Sequence, residues 1–250
     1  MVQHCKIPCL RILANVAVIA MFHTLDANAH GGDQPLFDGR TLHGWTTLDG
    51  KPVKEGWEVV DGMIHRTSSR RRAGDIVTEC EFGDLDLSFE WKIAPGGNSG
   101  LKYRVRQYDG KARGCEYQIL DDAKYRGRVT PKTSAGALYG LFEPNNDKRL
   151  NQAGEFNAAR ILIRGNHVQH WLNGRLVVSV EIGSQEWKSR VAQSKFSDLK
   201  DFAMNPRGKL MLTDHGSEVW FRNFEFHSLP KATPSLSSSP VEATSKPLEQ

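Results

Sequence analysis

The stretch Leu85-Asp86-Leu87-Ser88-Phe89-Glu90-Trp91-Lys92-Ile93 alternates apolar and polar residues without a break. Successive side chains of an extended strand point to opposite sides, so one face collects Leu85, Leu87, Phe89, Trp91 and Ile93; a helix would scatter them around its axis. Leu101 to Arg106 repeats the pattern, with Leu101, Tyr103 and Val105 inward and Lys102, Arg104 and Arg106 outward, and Cys115 to Asp121 follows it. Further strands are predicted at Trp57 to Asp61, Met63 to Arg66, Ile76 to Thr78, Gly136 to Phe142, Ala158 to Arg164, His167 to Asn173, Arg175 to Ile182, Lys209 to Thr213 and Glu218 to His227. Asp61-Gly62, Pro95-Gly96-Gly97-Asn98, Asp109-Gly110, Gly165-Asn166 and Asn173-Gly174 supply the positive-φ residues that tight hairpins need. Helical pattern is confined to a turn near Glu186 to Ala192 and another near Phe196 to Ala203. Short strands with one apolar face apiece predict an all-β chain, a two-sheet antiparallel jelly-roll sandwich.

The ends of the chain read differently. Lys6 and Arg11 precede an apolar run from Ile12 to Phe22, and Ala27-Asn28-Ala29 follows, the pattern of a secretory signal peptide over residues 1–29. The run is well short of the roughly 20 residues that span a bilayer, so no membrane association is expected once the leader is cleaved. From Pro230 onward Ser, Pro and Thr dominate and no aromatic residue remains, so residues 230–250 read as a disordered tail. The folded unit is expected at 33–229, in the periplasm or outside the cell. Cys80 and Cys115 are the cysteines left after leader removal, and in an oxidising compartment they are expected to pair.

Basic and acidic residues, 33 against 29, are too evenly balanced for a nucleic-acid binder. The one basic run, Arg70, Arg71 and Arg72 beside Arg66, reads as a solvated loop. Neither a Gly-x-Ser-x-Gly elbow nor a phosphate loop occurs, and no His or Cys spacing encodes a metal site locally. The outward positions instead collect Glu90, Lys92, Lys102, Arg104, Glu116 and Gln118, side chains suited to a hydroxyl-rich ligand. A glycosidase ordinarily needs two carboxylates, about 5 Å apart when retaining and about 6.5–9.5 Å when inverting. After Glu116 and Gln118, however, the next residue on that face is Leu120. Of the neighbours His170 and Trp171, which have opposite parity, His170 is expected outward because a buried imidazole must find a partner.

Several ordered blocks resemble the 3-keto-disaccharide hydrolase domain family, secreted bacterial proteins with a concanavalin A-like lectin/glucanase sandwich. They are Leu36-Phe37-Asp38-Gly39-Arg40-Thr41-Leu42-His43-Gly44-Trp45, Trp57 to Gly62, Phe89-Glu90-Trp91-Lys92, Asn98-Ser99-Gly100, Glu116 to Asp121, Gly154-Glu155-Phe156-Asn157, His170 to Gly174, and Thr213-Asp214-His215-Gly216 leading to Phe221-Arg222-Asn223. Phe156 departs from the pattern, where Trp is expected. The resemblance implies a carbohydrate substrate whose C3 carries a ketone. That ketone acidifies the C2 proton, so one base, one proton donor and one enolate stabiliser suffice in place of two carboxylates. On this reading Glu116 is the base, His170 or Glu90 serves the leaving oxygen, and Arg104 or Lys102 stabilises the enolate. Gln118, Asn98, Asp121 and His215 would hold hydroxyls or a divalent metal ion. Two other readings compete: a noncatalytic lectin-like module, because the same fold serves both purposes, and a conventional glucanase, which the interrupted carboxylate pattern disfavours.

Overall fold

The computed structural model describes residues 35–68 and 72–229. The proposed leader, the tail and the pair Arg70 and Arg71 lie outside the described residues. Among the described residues twelve strands run in chain order: β1 Trp45–Thr47, β2 Trp57–Val60, β3 Met63–Arg66, β4 Ile76–Thr78, β5 Leu85–Ile93, β6 Asn98–Tyr108, β7 Lys111–Leu120, β8 Asn157–Arg164, β9 His167–Leu172, β10 Arg175–Glu181, β11 Lys209–Leu212 and β12 Val219–Ser228. All pair antiparallel, in a five-stranded sheet ordered β1-β4-β11-β6-β7 and a seven-stranded sheet ordered β10-β9-β8-β5-β12-β3-β2. The hairpin dipeptides act as read, with Asp61 and Asn173 at positive φ.

The inward sides of the two sheets make the core. On β5, Leu85, Leu87, Phe89, Trp91 and Ile93 are all buried, while the residues between them are half-buried. Phe89 meets Tyr117 of β7 edge-on at 5.9 Å, joining the layers. Each such side chain contributes about 1.5–3 kcal/mol by leaving water. The helix α1, Gln185–Ala192, starts at Ser184, whose side chain accepts the Trp187 N–H at 3.1 Å. Trp187 is buried against Phe142 and Phe202, and Phe202 stacks on Phe196 at 4.3 Å. That cluster braces the segment 194–203, which forms turns in place of the predicted helix, with Asp201 and Ala203 at positive φ.

Two other expectations change. Gly136 to Phe142 is a loop, because Gly136 and Gly140 take positive φ and only isolated bridges form at Leu138. It nonetheless covers the open edge of β7: Ala137 O accepts the Gln118 N–H, Gly136 N–H donates to Gln118 O, and Tyr139 N–H donates to Glu116 O, all within 3.1 Å. Cys115 is free and buried on β7, so the expected pairing with Cys80 is not made. Burial pushes its thiol pKa up to about 12.

Candidate functional site

A cleft of about 590 Å³ lies over the outer face of the five-stranded sheet. Its floor follows from the strand register. Lys102 stands opposite Glu116 and beside Met211, and Gly100 stands opposite Gln118. Asn98, Asp75, His215 and Arg72 line one end, and Lys111, Arg113 and Asp109 the hairpin end. Tyr139 arrives on the loop covering β7, and Lys195, Phe196 and Asp198 on the braced segment after α1.

Glu116 occupies the middle and is 8% exposed. Its Oε1 lies 3.5 Å from the Thr213 hydroxyl and its Oε2 lies 3.8 Å from Lys102 Nζ. No shorter hydrogen bond reaches this carboxylate among the described residues, so it keeps lone pairs available in the field of a cation. Gln118 Nε2 donates to Asn98 Oδ1 at 3.0 Å, and Asn98 Nδ2 donates to the Tyr125 hydroxyl at 3.3 Å, a chain of amides that fixes both side chains. His215 is exposed at the mouth, yet it is crowded enough that desolvation lowers its pKa; the Glu116 charge works against that and the Lys102 charge with it. A neutral imidazole lining the same cleft as Glu116 and Lys102 is the result.

The backbone that presents His215 is held by a buried ion pair absent from the sequence reading. Arg66 Nε and Nη2 lie 2.9 and 3.1 Å from the two oxygens of Asp214, and both side chains are fully buried. Asp214 also accepts the N–H groups of Gly74 and Gly216, and its own N–H donates to Asp75. Burial raises the Asp214 pKa, but the Arg66 and backbone hydrogen bonds outweigh it and the net shift is downward. Arg66 is therefore no part of a solvated basic loop. Only Arg72 of that run is described, and it lines the cleft. Nothing in residue type marked Arg66 or Asp214, since their partnership spans distant segments.

Glu116, Gln118, Lys102, Asn98 and His215 thus share one cleft, whereas four other expected site residues do not join them. His170 is fully buried between the sheets, against the expectation of an outward position, because it finds the partners that a buried imidazole needs: the Tyr103 hydroxyl at 2.9 Å and Gly136 O at 3.2 Å. Desolvation lowers its pKa to about 4. Trp171 takes the outer face instead, with Arg160 over its ring. Glu90 belongs to the seven-stranded sheet and pairs there with Arg222 at 2.7 Å. Arg104 is 2% exposed because a bulge between Tyr103 and Arg106 turns it inward, where it donates to the Gly165 and Ala203 carbonyls. Asp121 accepts the N–H groups of Gly96, Ala123 and Lys124 and does not line the cleft. Phe156 lies under Arg222 on the outer face of the other sheet, so it stacks no ligand in the cleft.

Among the described residues no group of three or more His, Cys, Asp or Glu is spaced to hold a metal ion, and Asp121 and His215 are not assembled as ligands.

A family model described as the 3-keto-alpha-glucoside-1,2-lyase-like domain matches residues 32–227. The chain belongs to that family. A relative in Bacteroides thetaiotaomicron named 3-keto-disaccharide hydrolase is 30% identical over 223 residues, covering 75% of each chain. A crystal structure of a provisionally assigned glycosyl hydrolase from Parabacteroides distasonis is 33% identical, covers 78% of this chain and 93% of its own, and superposes with a TM-score of 0.70. A second such structure from that organism is 28% identical, with a TM-score of 0.62 over 78% of this chain and 98% of its own. For a 3-keto-alpha-glucoside-1,2-lyase-like domain the cleft offers a coherent set of groups: the Glu116 carboxylate, the lysine beside it, an amide pair and a histidine at the mouth. Membership supports a glycoside hydrolase-like role for the chain.

Proposed function

We propose that this chain cleaves 3-keto-glycosides, 3-keto-disaccharides among them, by removing the C2 proton, expelling the C1 oxygen and hydrating the product. The observation that carries the reading is the placement of Glu116 beside Lys102 at 3.8 Å in the middle of the cleft. Glu116 takes the C2 proton. The electron pair left behind delocalises onto the C3 oxygen, where the Lys102 ammonium stabilises the enolate. The C3 carbonyl then re-forms, a C1–C2 double bond appears and the C1–O bond breaks; the departing oxygen leaves with the proton that Glu116 took from C2, relayed through the neutral His215 imidazole, so Glu116 returns to its carboxylate. Water adds across the double bond, hydroxyl to C1 and proton to C2, so the net reaction is hydrolysis. Gln118 and Asn98 hold sugar hydroxyls. His215 takes the place first given to His170 and Glu90, and Lys102 alone keeps the role shared with Arg104. The "lyase" in the family's description is in keeping with elimination. The proposal puts the activity outside the cytoplasm, in keeping with the signal-peptide pattern read over residues 1–29.

Incubation with 3-keto-trehalose tests this. Release of 3-ketoglucose and glucose is expected, with unoxidised trehalose untouched and a slower rate when C2 carries deuterium. Glu116→Gln should lower kcat by about 10²–10⁴-fold, the usual worth of a general base. Saturable sugar binding without product would favour the lectin-like reading. Full turnover by Glu116→Gln would remove Glu116 from the mechanism.

A further inference from the structure

Gly100 lies in the middle of β6, where a glycine weakens a strand and calls for a reason. Its φ is not in the left-handed region, so the backbone there accepts any residue. It is not at the bulge of β6, which falls between Tyr103 and Arg106. Two other glycines near the cleft floor have a different cause: a β-carbon at Gly114 would strike Tyr103 O at 2.4 Å, and one at Gly208 would strike the Arg104 carbonyl carbon at 2.5 Å, so both permit close backbone approach. At Gly100 the three nearest atoms all belong to one side chain. A β-carbon would lie 2.4 Å from Glu116 Oε1, 2.9 Å from its Cγ and 3.0 Å from its Cδ.

From this we infer that Gly100 is a positioning residue: its missing side chain is the slot in which the Glu116 carboxylate lies. The inference rests on the reading of Glu116 as the base. Glu116 crosses from β7 over the backbone of β6 through that slot, and only there does Oε1 come within reach of the Thr213 hydroxyl while Oε2 faces Lys102. Thr213 is itself anchored to Gly100, its N–H donating to Gly100 O at 3.0 Å. The slot therefore sets the base relative to the enolate-stabilising lysine. A methyl group in it must swing the carboxylate away, and about an ångström of misplacement costs on the order of a hundredfold in rate.

The test is a double-mutant cycle on the full chain, read by turnover of 3-keto-trehalose and by thermal midpoint. Gly100→Ala alone should lower kcat about a hundredfold. With Glu116→Asp, whose shorter side chain clears the added methyl, the further loss should be under about threefold, because coupled positions are not additive. The thermal readout needs no activity. Gly100→Ala should lower Tm while Glu116 is present and raise it by about 1–4 °C when combined with Glu116→Ala, since alanine suits a strand better than glycine once the slot is empty. Equal losses of kcat in both backgrounds, or a Tm shift indifferent to Glu116→Ala, would overturn the inference. If Glu116→Gln keeps turnover, the catalytic reading falls while the thermal cycle still decides whether Gly100 accommodates Glu116.

Discussion

His170 and Glu116 show how far a side chain's neighbours redirect its chemistry. Both lie on strands and both are titratable, yet one is sealed in the core and the other faces a cleft. Held at a pKa of about 4 against an ordinary 6.5, His170 stays neutral in the fold while the unfolded chain takes up a proton. Acid therefore favours unfolding between about pH 6.5 and 4, by about 3 kcal/mol in all, and the slope vanishes on either side of that window. Urea denaturation across this range should show His170→Gln losing about one proton's worth of pH dependence relative to the parent chain. At this scale sequence reasoning correctly found that Glu116 and Gln118 share a face, because parity within a strand is local. It misplaced His170, because the Tyr103 hydroxyl and Gly136 carbonyl that make a buried imidazole tolerable come from elsewhere in the chain.

Among the elements, β6 holds the most consequential departure from regularity. A perfect strand would have put Lys102, Arg104 and Arg106 on one face; the bulge breaks that parity, and Arg104, at positive φ, turns inward. Two lysine- or arginine-directed substitutions therefore separate structure from chemistry. Arg104→Met should lower stability by about 2 kcal/mol, through charged hydrogen bonds lost to the Gly165 and Ala203 carbonyls, and leave kcat unchanged. Lys102→Met should do the reverse: a smaller change in Tm, since its ion pair is long at 3.8 Å and beyond hydrogen-bond reach, and a fall in kcat of about 10²–10³-fold. Melting curves and turnover on both variants decide. The bulge was invisible in the sequence because β6 keeps its apolar and polar alternation on paper, with no glycine at position 104 to mark the break. Loop 134–142 was misread for a related reason: its apolar residues are buried, but its glycines at positive φ carry it past β7 without a regular ladder.

Among the described residues the last strand closes the sandwich. β12 lies between β5 and β3 in the seven-stranded sheet and buries Val219 and Phe221, so a chain ending at Glu218 loses core and orphans two ladders at once. Such a chain should fail to fold, seen as loss of the β signature in far-UV circular dichroism. The Cys115 thiol should likewise resist alkylation until the sandwich is unfolded, as peptide mapping of labelled protein would show. Alternation and turn chemistry alone determined that this chain is built of short antiparallel strands with one buried face each, and the ordered blocks along it determined its family, because both are properties of neighbouring residues. Only the tertiary structure decided which strands lie side by side. Strand order brought Thr213 and His215 from beyond β11 to Glu116 on β7, sent Glu90 to the opposite sheet and joined Arg66 to Asp214, since pairing between distant segments is chosen by the packing of the whole core and leaves no mark on any one stretch of sequence.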